Sequence, residues 1–202
     1  MAPDPTRRGL LAGLAGGALS LVLPQAVPAM TADQATRLID RVVAEINAAI
    51  NSGRSEGAMY REFERIMARH ANVPYLALNT LGRAAATRAT RAQLQDYNEV
   101  FRAYISRKYG SRFREFIGGR LEVTGVRDLG QRVQVVTTAY LRGEDPFEVV
   151  FEVRERSGRL LFENMYIEGV NMLAQERELI RPILDRNGGD IEALMRALRA
   201  AG

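Results

Sequence analysis

The chemistry available to this chain is narrow. Of its 202 residues one is a histidine, His70, and none is a cysteine, which removes Ser-His-Asp triads, Cys-His pairs and His-cluster metal sites together. A disulfide framework is excluded as well, so the core must supply stability alone. Carboxylates remain as candidate acids or bases, and such a group needs burial to bring its pKa near the working pH. Asp96, Glu99 and Glu163 are the ones set among apolar patterns. Each reads more simply as the solvated neighbour of an apolar stripe, and neither a catalytic residue nor a metal or cofactor is expected.

What the sequence offers in place of reactive groups is rings. Thr90-Arg91-Ala92-Gln93 is a capping-box pattern that starts a long helix. Leu94, Tyr97, Phe101, Tyr104, Ile105 and Tyr109 give that helix an aromatic stripe, which Phe113 and Phe116 continue before Gly118-Gly119 stops it. Upstream, Leu38, Ile39, Val42, Val43, Ile46 and Ile50 mark an amphipathic helix capped by Thr31 or Asp33. Tyr60, Phe63, Ile66 and Met67 mark a second, and Asn72-Val73-Pro74 opens a third that carries Tyr75, Leu76, Leu78 and Leu81.

The period then changes. Leu121 to Val126 alternates, Gln131 to Leu141 is rich in Val and Thr, and Phe147, Val149, Phe151 and Val153 alternate with charged residues. Leu161, Met165 and Ile167 suggest a fourth strand, and the connections are short enough to require an antiparallel meander. Asn171 and Asp190 each cap a closing helix, with Pro182 expected to kink or end the first of them. The expected fold is α+β: a four-stranded or slightly larger antiparallel curved sheet with helices packed on one face, enclosing an apolar pocket.

Residues 1–29 read as a signal peptide: Arg7 and Arg8, an apolar run from Leu10 to Leu23, and small residues up to a cleavage point near Ala29. The run is shorter and more glycine-rich than the roughly 20 apolar residues of a membrane span. The arginine pair fits a twin-arginine signal or an ordinary secretory one. Residues 30–202 then form one domain, expected in the periplasm. The net charge of +4 is mild. Arg102, Arg107, Lys108, Arg112 and Arg114 make the nearest thing to a basic cluster, and a solvated helix face explains it better than nucleic-acid binding.

Leu81-Gly82-Arg83, Thr90 with Gln93, Tyr97, Phe101, Tyr104, Tyr109-Gly110 and above all Glu168-Gly169-Val170-Asn171-Met172, in that order, resemble the MlaC or toluene-tolerance family over about residues 59–196. Where many members keep a tryptophan, an aspartate and a serine, this chain has Leu160, Asn164 and Asn171. The resemblance implies a soluble monomeric carrier of a phospholipid or hopanoid-like lipid. It also implies an inner-membrane ABC transporter complex and an outer-membrane lipoprotein complex as partners. The residues expected to line the lipid pocket are Ile66, Tyr75, Leu78, Phe101, Tyr104, Val135, Phe147, Val149, Phe151 and Met165. A small cone-shaped α+β enzyme, such as an isomerase, and a scaffold with an exposed apolar groove are the competing readings.

Overall fold

Two long helices begin in the same way. The hydroxyls of Thr31 and Thr90 accept the backbone N–H three residues on, while the side chains of Gln34 and Gln93 accept the threonine N–H in return. Two donors that the helix itself leaves orphaned are thereby satisfied at each start.

The computed structural model describes residues 30–111 and 113–201, with the side chains of Phe113 and Arg114 left undescribed. The expected signal peptide and Arg112 of the basic cluster lie outside the described residues. Helices come first: α1 (Ala32–Ile50), α2 (Glu56–His70), α3 (Val73–Leu81), α4 (Arg83–Arg88), α5 (Arg91–Gly110) and α6 (Phe113–Phe116). Strands follow: β1 (Arg120–Asp128), β2 (Val133–Tyr140), β3 (Phe147–Arg156), β4 (Arg159–Ile167) and β5 (Val170–Asn171). The described chain closes with α7 (Met172–Arg186) and α8 (Ile191–Ala200). No described helix is long and apolar enough to cross a membrane.

Three boundaries differ from those the sequence suggested. The aromatic helix does not run on to Gly118; α5 ends at Gly110, and Phe116 belongs to the short α6. Gly110 lies so close to α2 that a Cβ there would sit 2.8 Å from Cδ1 of Tyr60. Pro182 neither ends nor divides α7, because it stands on the exposed side of the helix, where water can serve the carbonyl that loses its partner. The short helix α4 went unread, since Ala84, Ala85 and Ala86 offer no periodicity.

The sheet is a meander in the order β1-β2-β3-β4-β5, antiparallel throughout. Bulges at Thr124 in β1 and Glu163 in β4 shift the register, and an extra residue of this kind bends its strand. Val133, Val135, Thr137 and Ala139 of β2 and Val149, Phe151 and Val153 of β3 are buried on the helix-facing side. On the other side Gln134, Thr138 and Glu148 meet solvent around a small cluster of Val136, Val150 and Tyr166. Helix α1 packs along β1, where the Asn47 carboxamide donates to the Leu121 carbonyl and accepts from the Leu121 N–H, both at 2.9 Å. A side chain here completes the ladder of an outermost strand.

Candidate functional site

Packing a bent sheet against several helices leaves a gap wherever the side chains do not meet. Here the gap is an apolar cavity of ≈ 450 Å³, within the size range of ligand-binding pockets. The sheet wall is Phe147, Val149 and Phe151 of β3 with Met165 and Ile167 of β4. The helix wall is Val42 and Ile46 of α1, Phe63, Ile66 and Met67 of α2, and Phe101 and Ile105 of α5. Phe151 meets Phe162 edge-on at 5.5 Å, and Phe147 meets Phe116 edge-on at 6.2 Å nearer the opening. The exposed carboxylates Glu115, Glu144, Asp145 and Glu168 stand where the cavity reaches the surface.

Six of the ten residues expected to line a pocket do line this one: Ile66, Phe101, Phe147, Val149, Phe151 and Met165. The other four stand elsewhere. Leu78 lies on the outward side of α3 and is 43% exposed, because Val73, Leu76, Ala77 and Leu81 take the inward side. Tyr75 stacks beneath the Arg156 guanidinium at 5.7 Å. Val135 pairs with Val126 and Phe151 and is enclosed in packed core. Tyr104 stands behind the wall, its hydroxyl committed to a residue of α7.

That residue, Glu176, is the one polar side chain of consequence that the sequence reading passed over. It is 3% exposed, yet it contributes to the cavity wall. Lys108 donates to its Oε1 at 2.6 Å and the Tyr109 hydroxyl at 2.5 Å, while the Tyr104 hydroxyl donates to Oε2 at 3.1 Å. The Lys108 ammonium also lies 5.6 Å from the centroids of both phenol rings. The signal was present in the sequence: Met172, Glu176, Ile180 and Leu184 recur at every fourth position, so one carboxylate interrupts an apolar stripe.

Burial, followed by the Glu176 charge, pushes the Tyr104 phenol far above the ordinary tyrosine range. Burial does the same to Tyr97, against a lowering hydrogen bond with Thr80. Both phenols therefore stay protonated donors across all physiological pH. Because the folded state holds these protons more tightly than the unfolded state, their contribution is complete below about pH 10 and is lost as the pH rises beyond it. In an alkaline titration followed by phenolate absorbance, Tyr97 and Tyr104 should ionise only together with unfolding, seen by circular dichroism. Ionisation of all seven tyrosines in a folded protein would refute this.

The residues weighed for acid-base chemistry sit apart from the cavity. Asp96 and Glu99 are exposed on α5. Glu163 is not the solvated neighbour its pattern suggested: it is 1% exposed at the β4 bulge, bonded by Arg156 and by Asn72, with Arg154 nearby. His70 is tied to Glu45 at 3.0 Å and does not reach the cavity. Asn164 and Asn171, two of the positions that depart from the family pattern, are partners: Asn164 Nδ2 donates to Asn171 Oδ1 at 3.0 Å. Their oxygens in turn accept from Leu173 and Ala174, which fixes the start of α7 and with it the placing of Glu176.

A sequence comparison with curated proteins finds no match. Among solved structures, the chain is similar to the phospholipid-binding protein from Ralstonia solanacearum, determined in complex with a phospholipid. The TM-score is 0.70 at 17% sequence identity, over 82% of this chain and 95% of that one. The family model described as MlaC protein matches residues 36–200, nearly the whole of the described fold. The chain belongs to the MlaC family.

Proposed function

We propose that this protein is a periplasmic lipid carrier, which shields acyl chains in the cavity between its sheet and its helices and passes them between membranes. The observation that carries the reading is the cavity itself: apolar on both walls and open at a rim of charged residues. At roughly 30 Å³ for a methylene-sized group, the share that one water takes of its liquid, ≈ 450 Å³ accommodates at least one acyl chain. The phospholipid held by the Ralstonia protein, on the same fold, supports the same kind of cargo.

Energetics make such a protein necessary. Each buried methylene is worth about 0.8 kcal/mol, so drawing about 30 of them into water costs on the order of 25 kcal/mol. A barrier of that height means unaided desorption on the order of days. An apolar cavity that takes up one of two such chains cancels about half of the cost, and no bond is made or broken. Direction must then come from partners that load and unload the cavity. Family membership suggests an ABC transporter complex in the inner membrane and a lipoprotein complex in the outer membrane.

The isomerase-like alternative gains one observation, a buried carboxylate in the cavity wall. Glu176 is poorly placed as a base, because three donors already occupy its two oxygens. Native mass spectrometry of protein purified from cells, followed by lipid extraction, tests the proposal. A co-purifying diacyl or polycyclic lipid at near-stoichiometric occupancy is expected. Protein that stays empty after incubation with vesicles of every major lipid class would overturn it.

A further inference from the structure

The cavity has a blind end. On three of the elements that line it, the lining runs inward from the rim and then stops. Phe147, Val149 and Phe151 of β3 line it, but Val153, the next inward residue, is fully buried in packed core. On β4 the lining runs from Ile167 and Met165 to Phe162, which is the strand partner of Val153. On α5 it runs from Tyr109 through Ile105 to Phe101. Beyond Phe101 comes the buried Tyr97, with ring centroids 6.1 Å apart and its hydroxyl tied to Thr80. Asp145 and Glu168, which border Phe147 and Ile167, belong to the rim at the other end.

Polar contacts hold the blind end in place. Phe162 forms an isolated parallel bridge with Ala71, where α2 passes into α3, and its carbonyl accepts the Asn72 N–H at 2.9 Å. Asn72 Nδ2 donates to Oε1 of the buried Glu163 at 2.7 Å, and Arg156 Nε donates to the same oxygen at 2.9 Å. The Phe162 ring stands edge-on to Phe151. Leu76, one turn into α3 from Asn72, is the described α3 residue that reaches the cavity. The floor is thus tied to the sheet and to the helix layer together. The space above it, ≈ 450 Å³, holds about 15 methylene-sized groups at roughly 30 Å³ each. That is one palmitoyl chain without its carbonyl; two such chains would need about twice the space.

We infer that the cavity takes one acyl chain at a time and selects it by length, with Phe162 as the stop and a palmitoyl chain as the upper limit. The inference rests on the carrier reading and extends it from shielding tails to choosing among them. A chain within the limit exchanges bilayer for an equally apolar wall. A longer chain leaves its excess methylenes in water at the opening, and each one lowers occupancy by about fourfold. Phe162 and Leu76 are then specificity-determining.

The test offers the protein an equimolar series of lauroyl, myristoyl, palmitoyl, stearoyl and arachidoyl lysophosphatidylcholine, dilute in phosphatidylcholine vesicles, and reads the bound lipid by native mass spectrometry. The wild type should load the lauroyl, myristoyl and palmitoyl forms within about twofold of one another, and the stearoyl form at least about tenfold less. Phe162→Leu, which lowers the floor, should bring the stearoyl form within about twofold of the palmitoyl form. Leu76→Phe, which adds a ring to the empty lumen, should drop the palmitoyl form at least about tenfold below the lauroyl form. Both changes keep an apolar side chain, and the double variant conserves total volume, so it should fold as the wild type does and return the wild-type limit. Circular dichroism checks the fold of each. An even profile across the series in the wild type, or a limit that stays put in either folded single variant, overturns the length selection and leaves the carrier reading intact. Protein that takes up neither a lysolipid nor the diacyl lipid of the vesicles overturns both.

Discussion

Phe151→Asp should yield a protein that carries no lipid and is at least about 4 kcal/mol less stable than the wild type. Truncating a buried phenylalanine alone costs about 3–5 kcal/mol, and Phe151 is 2% exposed, paired with Val135 and Met165 and edge-on to Phe162. An aspartate there adds a charge with no partner. A protein that has lost its fold says nothing about cargo, so Phe147→Asp is the companion. Phe147 is only half-buried, near the opening, and its replacement should cost about 1–2 kcal/mol. The folded variant should lose most of its lipid, because a carboxylate near the opening must be desolvated whenever a tail passes. Folded Phe147→Asp that co-purifies with undiminished lipid would remove this wall from the pathway of the tails.

The second large effect concerns the ion pair of Lys108 with Glu176 inside the wall. Lys108→Met should destabilise by about 2–3 kcal/mol, since removing one partner strands a buried carboxylate. The two phenols that still donate to Glu176 keep the loss below the largest values seen for such pairs. Adding Glu176→Gln should restore most of it, because the amide oxygen still accepts from one phenol, the amide NH2 can donate to the oxygen of the other, and no charge is left to desolvate. Thermal unfolding of the two single variants and the double variant reads the coupling. If Lys108→Met alone unfolds at the wild-type temperature, Glu176 is served by water, and the closed arrangement described above is wrong.

Local grammar was the legible part of this sequence. Thr90 and Gln93 announce a helix start because the hydrogen bonds they make are only three residues long. The Phe147 strand announces itself by alternation, and its inner and outer sides fell as the alternation required. Facing is harder wherever a helix is apolar all round. Leu78 in α3 has the same chemistry as Leu76 and Leu81, and only the placing of α5 and α7 decides that it points outward. Val135 shares a sheet side with Phe151, yet it ends in solid core, since alternation gives the side of the sheet but not where the layers part. Glu176 and Lys108 lie 68 residues apart. Their meeting depends on how α7 returns across α5, which no local pattern encodes.

A domain built around a hollow gives up some of the internal cohesion that a solid core would have, and the empty form should be the more prone to open. Looseness of that kind is dangerous in a sheet protein, because a bare outermost strand is a template on which other chains can polymerise. Asn47 bears on this. By occupying both backbone groups of Leu121, its carboxamide denies a neighbouring molecule its first two rungs, while β5 at the opposite border is only two residues long and runs straight into α7. The architecture can therefore tolerate an unfilled interior without inviting self-association.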